Sequence, residues 1–380
     1  MAKVWGVGIV GAGDYSGTYL TLAPIFRNFE IRAIASRTPE KAEARAVEFG
    51  IRAQSVDALL ANDEIDIILN VTPPVGHFPV SLDALAAGKH VFTEKPLAVD
   101  MDEGNKLRKA AHERGLTIGV APETFFGGPH QQARALIDAG RFGKITAGTG
   151  FFQTRGHEGW HPNPNFFFQR GGGPILDIGP YQISDLVNLL GPVARVTALA
   201  ATGRVERPIT APGPHKGEII TVRTPTTVYG VLEFVSGTIF NLGMSWDVAG
   251  QRRINEVELH GTEATLFDSS PSEFGGELRA VGIDGQAIDL GDYDHPFTQL
   301  NFTDRLGVRR ANYRGAGIAD MIEAIETGRP PRCSLDFGLH ALDIMTSLLK
   351  SAETKQTQAL TTTCERPAPL APEQARALLK

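Results

Sequence analysis

The sequence predicts an α/β protein whose first third is a parallel sheet wrapped by helices and whose remainder is an α+β domain on a large, open, mainly antiparallel sheet. Three observations carry this. Short apolar β-prone runs alternate with helical patterns from residue 4 to about residue 121, as strands and crossover helices of a parallel sheet do. From about residue 123 the alternation stops, and β-prone runs follow one another without intervening helices. The 380-residue chain also exceeds what one hydrophobic core usually serves. The boundary is therefore drawn as 1–122 and 123–380.

The first run, residues 4–10, is almost continuously apolar, the pattern of a strand buried on both faces. Gly11-Ala12-Gly13-Asp14-Tyr15-Ser16-Gly17 follows at once. Glycines at the first and third places permit a tight turn and let backbone approach a pyrophosphate, which then sits on the N-terminus of the next helix, expected over about 16–28. Ser16 stands where a third glycine is usual and is small enough for close helix packing. This strand, glycine turn and helix predict a Rossmann dinucleotide-binding domain, with Gly11, Gly13, Asp14, Tyr15 and Ser16 as candidate cofactor contacts. The alternation continues with strands over 31–35, 65–71, 89–93 and 116–121 and helices over 39–49, 79–87 and 102–114.

The second strand ends in Ser36-Arg37-Thr38. A carboxylate there would accept from both ribose hydroxyls of NAD, whereas a 2′-phosphate needs a positive partner. Arg37 can fork onto a phosphate, with Ser36 and Thr38 donating to it. NADP(H) is thus favoured over NAD(H), although an arginine can also stack on adenine. Thr72 and Pro73 close the next strand, near the expected nicotinamide ribose. His77 opens a helix, either as a cofactor contact or as a helix-start residue without chemistry. Residues 89–93 end in Glu94-Lys95-Pro96, a strand that delivers charge to the sheet edge where ligands bind. Lys95 is the candidate for the catalytic centre, and Glu94 joins the cofactor set.

In this order the motifs resemble the glucose-fructose oxidoreductase/inositol dehydrogenase/MocA family. The resemblance rests on Gly11-Ala12-Gly13, Thr72-Pro73 with His77, Glu94-Lys95-Pro96, Gly171-Gly172-Gly173 and Asp177-Ile178-Gly179-Pro180-Tyr181, and it spans nearly the whole chain. It implies a lysine that contacts nicotinamide and substrate, a Lys-Pro bond that is often cis, and an Asp-x-Gly-x-His motif whose histidine handles the proton. Here Tyr181 replaces that histidine. A phenol can still give or take a proton, but its ordinary pKa is about 10, so it needs a neighbouring cation such as Lys95. The resemblance also implies dimer or tetramer formation through one face of the second sheet, for which Val231, Phe234, Ile239 and Phe240 are interface or core candidates.

In the second domain a helix is expected over 129–139 and strands over 145–153, 193–202, 219–223, 227–234, 237–246, 254–260, 264–267 and 278–282. A helix over about 174–190 would put Asp177 and Tyr181 on one face, four residues apart, with Asp185 four further on as a plain helix carboxylate. His157-Glu158-Gly159-Trp160-His161 spells a zinc-protease motif, but Gly159 inside it and Pro162 after it oppose the helix that zinc ligation needs, so no metal is assigned. Residues 155–169 read instead as a loop, either a packed connection or a sugar-binding segment through Arg155, His157, Trp160 and His161. Amphipathic helices over 315–327 and 335–352 and an extended tail with a short terminal helix complete the chain.

Composition narrows the partners. Lys plus Arg total 37 against 43 Asp plus Glu, a net charge of -6, with no basic block, so nucleic acid is not expected. Two cysteines, Cys333 and Cys364, have neither metal-ligand nor disulfide-framework spacing, as in a reducing cytoplasm. Met1-Ala2-Lys3 runs directly into a strand rather than a signal peptide, and no run reaches the roughly 18 apolar residues of a membrane span. A cytoplasmic oxidoreductase acting on a sugar, cyclitol or glycoside is expected. The alternatives are redox-neutral glycoside cleavage or isomerisation with retained cofactor, and a non-catalytic sugar or dinucleotide sensor.

Overall fold

The computed structural model describes residues 3–250, 257–304 and 306–380. It divides into two compact units, the first comprising 1–123, 312–339 and 370–380, the second 124–311 and 340–369. The chain thus re-enters the first unit twice, which a single division after residue 122 does not anticipate. The returning helix Ala316–Thr327 explains why: Gly317 stands so close to the Phe92 ring that a Cβ would meet it at 2.5 Å. That apolar contact lies far away in sequence and leaves no local signature.

The first unit is built on a six-stranded sheet, β1 (Trp5–Val10), β2 (Phe29–Ala35), β3 (Arg52–Gln54), β4 (Ile67–Asn70), β5 (His90–Thr93) and β6 (Ile118–Val120), in the order β3-β2-β1-β4-β5-β6. Every pairing is parallel. This is the dinucleotide-binding order, and its topological switch point lies between β1 and β4, where ligands bind beyond the strand ends. All six residues of β1 are buried, as the continuous apolar run requires. β3 and the helix Val56–Leu60 were not anticipated. β3 is an edge strand of three polar or small residues and carries no apolar alternation.

The second unit holds an eight-stranded sheet in the order Arg279–Gly282, Ala264–Asp268, Val257–Gly261, Ile145–Gln153, Ile239–Ser245, Thr227–Phe234, Val193–Ala201, Gln358–Ala359. All pairings are antiparallel except that of Ile145–Gln153 with Ile239–Ser245. Residues 254–256 of the strand expected at 254–260 lie outside the described residues. Alternation sorts the four interface-or-core candidates: Phe234 and Phe240 are 1% and 0% exposed, while Val231 and Ile239 are 37% and 42% exposed. The solvent face also carries Leu199 and Tyr229, which pair across neighbouring strands.

One expected helix is two. Gly173–Asp177 stops, Ile178 intervenes, and Gly179–Leu190 begins. Pro180 has no N–H to donate back to the preceding turn, so the ladder is interrupted there. The four-residue spacing of Asp177 and Tyr181 therefore straddles a break rather than lying along a single helix. Among the described residues no helix is long and apolar enough to cross a membrane.

Candidate functional site

In the first unit, the mouth of the sheet is shaped by Gly11. Its φ of +118° lies where only glycine is comfortable, and a Cβ there would meet the Val71 carbonyl carbon and oxygen at 2.8 Å. The turn after β1 can therefore lie tightly against the turn after β4. Gly13, by contrast, faces open space and precedes the helix Asp14–Leu22, whose start no side chain caps. Open helix N–H groups beside a bare backbone fit a pyrophosphate, so this end of the fold suits a dinucleotide. Ser16 is 0% exposed, and its hydroxyl donates to the Gly13 carbonyl at 2.6 Å. It braces the turn from inside. Tyr15 is exposed, with the Arg314 guanidinium 5.1 Å from its ring centre. Ser36 is half-buried at the end of β2, and Arg37 and Thr38 beyond it are exposed.

Beyond β4 and β5 a buried hydrogen-bond frame holds the Glu94-Lys95-Pro96 turn. Glu94 accepts from the Tyr19 hydroxyl at 2.9 Å and from the Lys95 amide at 3.1 Å, and its own amide bonds the Asn70 carbonyl. The Lys95–Pro96 peptide is cis. His77 is 1% exposed, with Nδ1 2.6 Å from the Pro96 carbonyl and Nε2 2.8 Å from the Thr72 carbonyl. It lies between the turn after β4 and the turn that carries Lys95; both carbonyls accept, so the neutral ring donates to one of them and packs against the other. Burial holds the ring below its ordinary pKa. Asn70 completes the frame: its Nδ2 donates to the His77 carbonyl and Ser81 Oγ, and its Oδ1 accepts from the Thr72 amide and hydroxyl.

Sequence reasoning missed Tyr19, Glu123 and Arg314. Glu123 is fully buried and accepts from the Gly315 amide at 2.9 Å. Burial pushes its carboxyl up to about 7, with Arg314 opposing and Glu94 adding to the shift. Burial, with Glu123 and Glu94, likewise holds the Tyr19 phenol well above its usual range. In the folded chain Glu123 keeps its proton up to about pH 7, whereas a free carboxyl releases it near 4.5. The folded state then binds more protons between these values, so this stability is fully present below the lower value and is lost as pH rises through the upper one. Urea unfolding of wild type and Glu123→Gln across this window should show the wild type losing stability relative to the variant by up to about 1.4 kcal/mol per pH unit. Parallel pH profiles would remove Glu123 as the source.

In the second unit the structure brings His157 and Asp177 together, with His157 Nε2 3.2 Å from Asp177 Oδ2. The imidazole is stacked on Phe167 at 4.0 Å and meets Trp160 and Trp246 edge-on. Trp160 is 44% exposed; Arg155 is exposed and His161 half-buried. The His-Glu-x-x-His segment is not helical, and its Glu158 bonds Arg207 at 2.6 Å. Its two histidines and its glutamate are thus held by aromatic rings, Asp177 and Arg207. Tyr181 is 4% exposed on the helix Gly179–Leu190.

Comparison with known proteins agrees with the strand order and the turns. Residues 5–121 match an oxidoreductase family model described as an NAD-binding Rossmann fold, and residues 130–267 match the GFO/IDH/MocA C-terminal domain. The chain belongs to the GFO/IDH/MocA oxidoreductase family. Among curated relatives, a dTDP-3,4-didehydro-2,6-dideoxy-alpha-D-glucose 3-reductase of Streptomyces violaceoruber is 32% identical over 50% of this chain and 56% of its own length. Levoglucosan dehydrogenase of Pseudarthrobacter phenanthrenivorans is 25% identical over 62% of this chain and 64% of its own. The chain thus spans between about half and two-thirds of the length of these two curated relatives. Among solved structures, levoglucosan dehydrogenase in its apo form has a TM-score of 0.79 at 22% identity, covering 95% of this chain and 100% of that one. A complex of that enzyme with NADH and L-sorbose has a TM-score of 0.78 at 22% identity, with the same coverage. At this identity the structural likeness speaks for the GFO/IDH/MocA fold.

Proposed function

We propose that this chain is an NAD(P)-dependent oxidoreductase that interconverts a secondary alcohol and a ketone on a sugar, cyclitol or glycoside. The observation that carries the reading is the turn after β5, where Glu94, held by the Tyr19 hydroxyl and the Lys95 amide, stands beside Lys95 at the sheet end where dinucleotides bind. Relatives that reduce or oxidise sugars agree with it. The residues proposed to hold the dinucleotide are Gly11, Gly13, Asp14 and Tyr15 at the pyrophosphate, Ser36, Arg37 and Thr38 at the adenosine ribose, and Thr72, Pro73, Glu94 and Lys95 towards the nicotinamide. Ser16 and His77 support these turns from within.

A bound nicotinamide supplies the hydride for carbonyl reduction and accepts it in the reverse direction. Lys95 is proposed to hold the substrate oxygen and to stabilise the negative charge that develops on it. Tyr181 gives that oxygen a proton, and Asp177 orients the substrate hydroxyl. Arg155, His157, Trp160 and His161 are proposed as sugar contacts, aromatic faces beside hydrogen-bonding groups. The exposed apolar side chains Leu199, Tyr229, Val231 and Ile239 are proposed as the face through which copies of the chain form a dimer or tetramer. The proposed setting is the cytoplasm.

The test is a screen of sugars and polyols with both dinucleotides, read by nicotinamide absorbance, on wild type and Arg37→Ala. Turnover of at least one polyol or ketose is expected. With NADP(H) the variant should show KM raised by roughly 10- to 100-fold, as befits loss of a charged fork onto phosphate, with NAD(H) almost unaffected. Arg37 is exposed, so the substitution leaves the fold intact. Equal effects on both dinucleotides would withdraw the NADP preference. Substrate conversion with no net absorbance change and cofactor retained through purification would replace net oxidoreduction by the redox-neutral reaction.

A further inference from the structure

The second unit contains a buried cluster that the proposed reaction does not use. His130 lies on the helix Gly128–Asp138, Asp185 on the helix Gly179–Leu190, and Asp268 at the end of the strand Ala264–Asp268. All three are 0% exposed, and one ligand-type atom from each lies within 4.8 Å of the other two. His130 Nδ1 is 3.2 Å from Asp268 Oδ2 and 3.4 Å from Asp185 Oδ1. The other ring nitrogen, Nε2, is 2.9 Å from the Glu273 carbonyl oxygen. A carbonyl only accepts, so Nε2 carries a proton. If the imidazole is neutral, its Nδ1 lone pair then points at two carboxylate oxygens, and the three repel one another. Positive charge has to lie between them.

A second ring proton supplies only part of that charge. An imidazolium between two ionised acids leaves one net negative charge away from water, and both oxygens of Asp185 are sealed from solvent without a hydrogen-bond partner. Asp268 is better served, since its Oδ1 accepts from the Ser269 amide at 2.7 Å. A divalent cation resolves all of this. It balances two carboxylates and a neutral imidazole, takes up the Nδ1 lone pair, and gives Asp185 a partner.

The spacing agrees. Two donors roughly 2.0–2.2 Å from one metal at a tetrahedral angle lie about 3.3–3.6 Å apart, close to both separations observed here. An Nε2–H held by a backbone carbonyl is also the outer support that metal-bound imidazoles have. An imidazole with two carboxylates suits a first-row transition ion better than the all-oxygen shells of calcium or magnesium. We propose that His130 Nδ1, Asp185 and Asp268 bind one divalent transition-metal ion, of the zinc class, in a buried structural site that ties two helices to the sheet strand. The role is structural because the site is closed to solvent and substrate.

The experiment uses the full chain without a histidine tag, unfolded and refolded either with Zn²⁺ or with a chelator, then desalted and measured for metal and thermal unfolding. Close to one zinc per chain and a higher Tm than the chelator-treated protein are expected. Refolding with Co²⁺ should give visible d–d absorption from nitrogen and oxygen ligands. Asp185→Asn and His130→Gln should retain less than about a tenth of the metal and lose the cobalt spectrum. The wild-type measurement decides even where a variant fails to fold. Wild-type protein that emerges metal-free from Zn²⁺ and Co²⁺, with the same Tm as after chelator, would overturn the site and leave an imidazolium with a protonated acid. Metal bound equally by Asp185→Asn would overturn it as well.

Discussion

Replacing Tyr181 by phenylalanine is expected to lower kcat for carbonyl reduction by about 10²- to 10⁴-fold, the usual contribution of a positioned general acid. The substitution removes one oxygen and keeps the ring. Tyr181 is 4% exposed on the helix Gly179–Leu190, and the phenylalanine ring fills the same place. KM should move much less than kcat, because the lost interaction forms as the substrate oxygen gains charge. If the variant turns over like wild type, the proton comes from elsewhere, and the candidate in the second unit is His157, 3.2 Å from Asp177. In that case His157→Asn, rather than Tyr181→Phe, should carry the loss.

The centre of the first unit's sheet was legible because β1 and β4 are buried throughout. β1 reads as an apolar run throughout, β4 as Ile67-Ile68-Leu69, the second half of β2 as Ala33-Ile34-Ala35 and β5 as Val91-Phe92, and glycine punctuates the turn after β1. What stayed hidden was long-range. Ala316–Thr327 reads as an amphipathic helix, but nothing local says that it packs beside Phe92 in the first unit. Helix periodicity also overran Ile178, because the effect of Pro180 falls on a hydrogen bond one turn earlier. The site shows the same division. Gly11, Glu94 and Lys95 could be found from turn chemistry and position, whereas Tyr19, Glu123 and Arg314 join Glu94 only through tertiary packing. His77 was named from its place after β4, and the structure puts it between two carbonyls.

The segment carrying His157 is held by the buried Arg207 guanidinium, and this predicts a large loss of stability. Arg207 is 0% exposed. Its Nη1 donates to Glu158 at 2.6 Å and to the Arg155 carbonyl at 3.3 Å, while its Nη2 donates to Asp247 and to the Trp246 carbonyl. The guanidinium also lies 5.0 Å from the centre of the Phe168 ring. Burial alone would raise the pKa of Asp247, but the Thr226 and Thr227 hydroxyls, the Gly203 amide and Arg207 outweigh it and hold the acid below its ordinary range. Arg207→Leu keeps the apolar volume and removes the charge, so Glu158 and Asp247 lose the cation they share. Breaking a buried pair from one side costs about 3–5 kcal/mol, and a loss of that size in the free energy of urea unfolding is expected. Adding Glu158→Gln should restore part of it, since the stranded charge is then absent and the two changes are coupled. Because Arg207 holds the Trp246 carbonyl and the Arg155 carbonyl, and Trp246 meets His157 at 4.6 Å, the variant should also raise KM for the sugar more than it lowers kcat. A loss below about 1 kcal/mol with unchanged KM would mean that the two acids find water or a proton instead, and that the aromatic packing of Phe167, Phe168 and Trp246 orients His157 unaided.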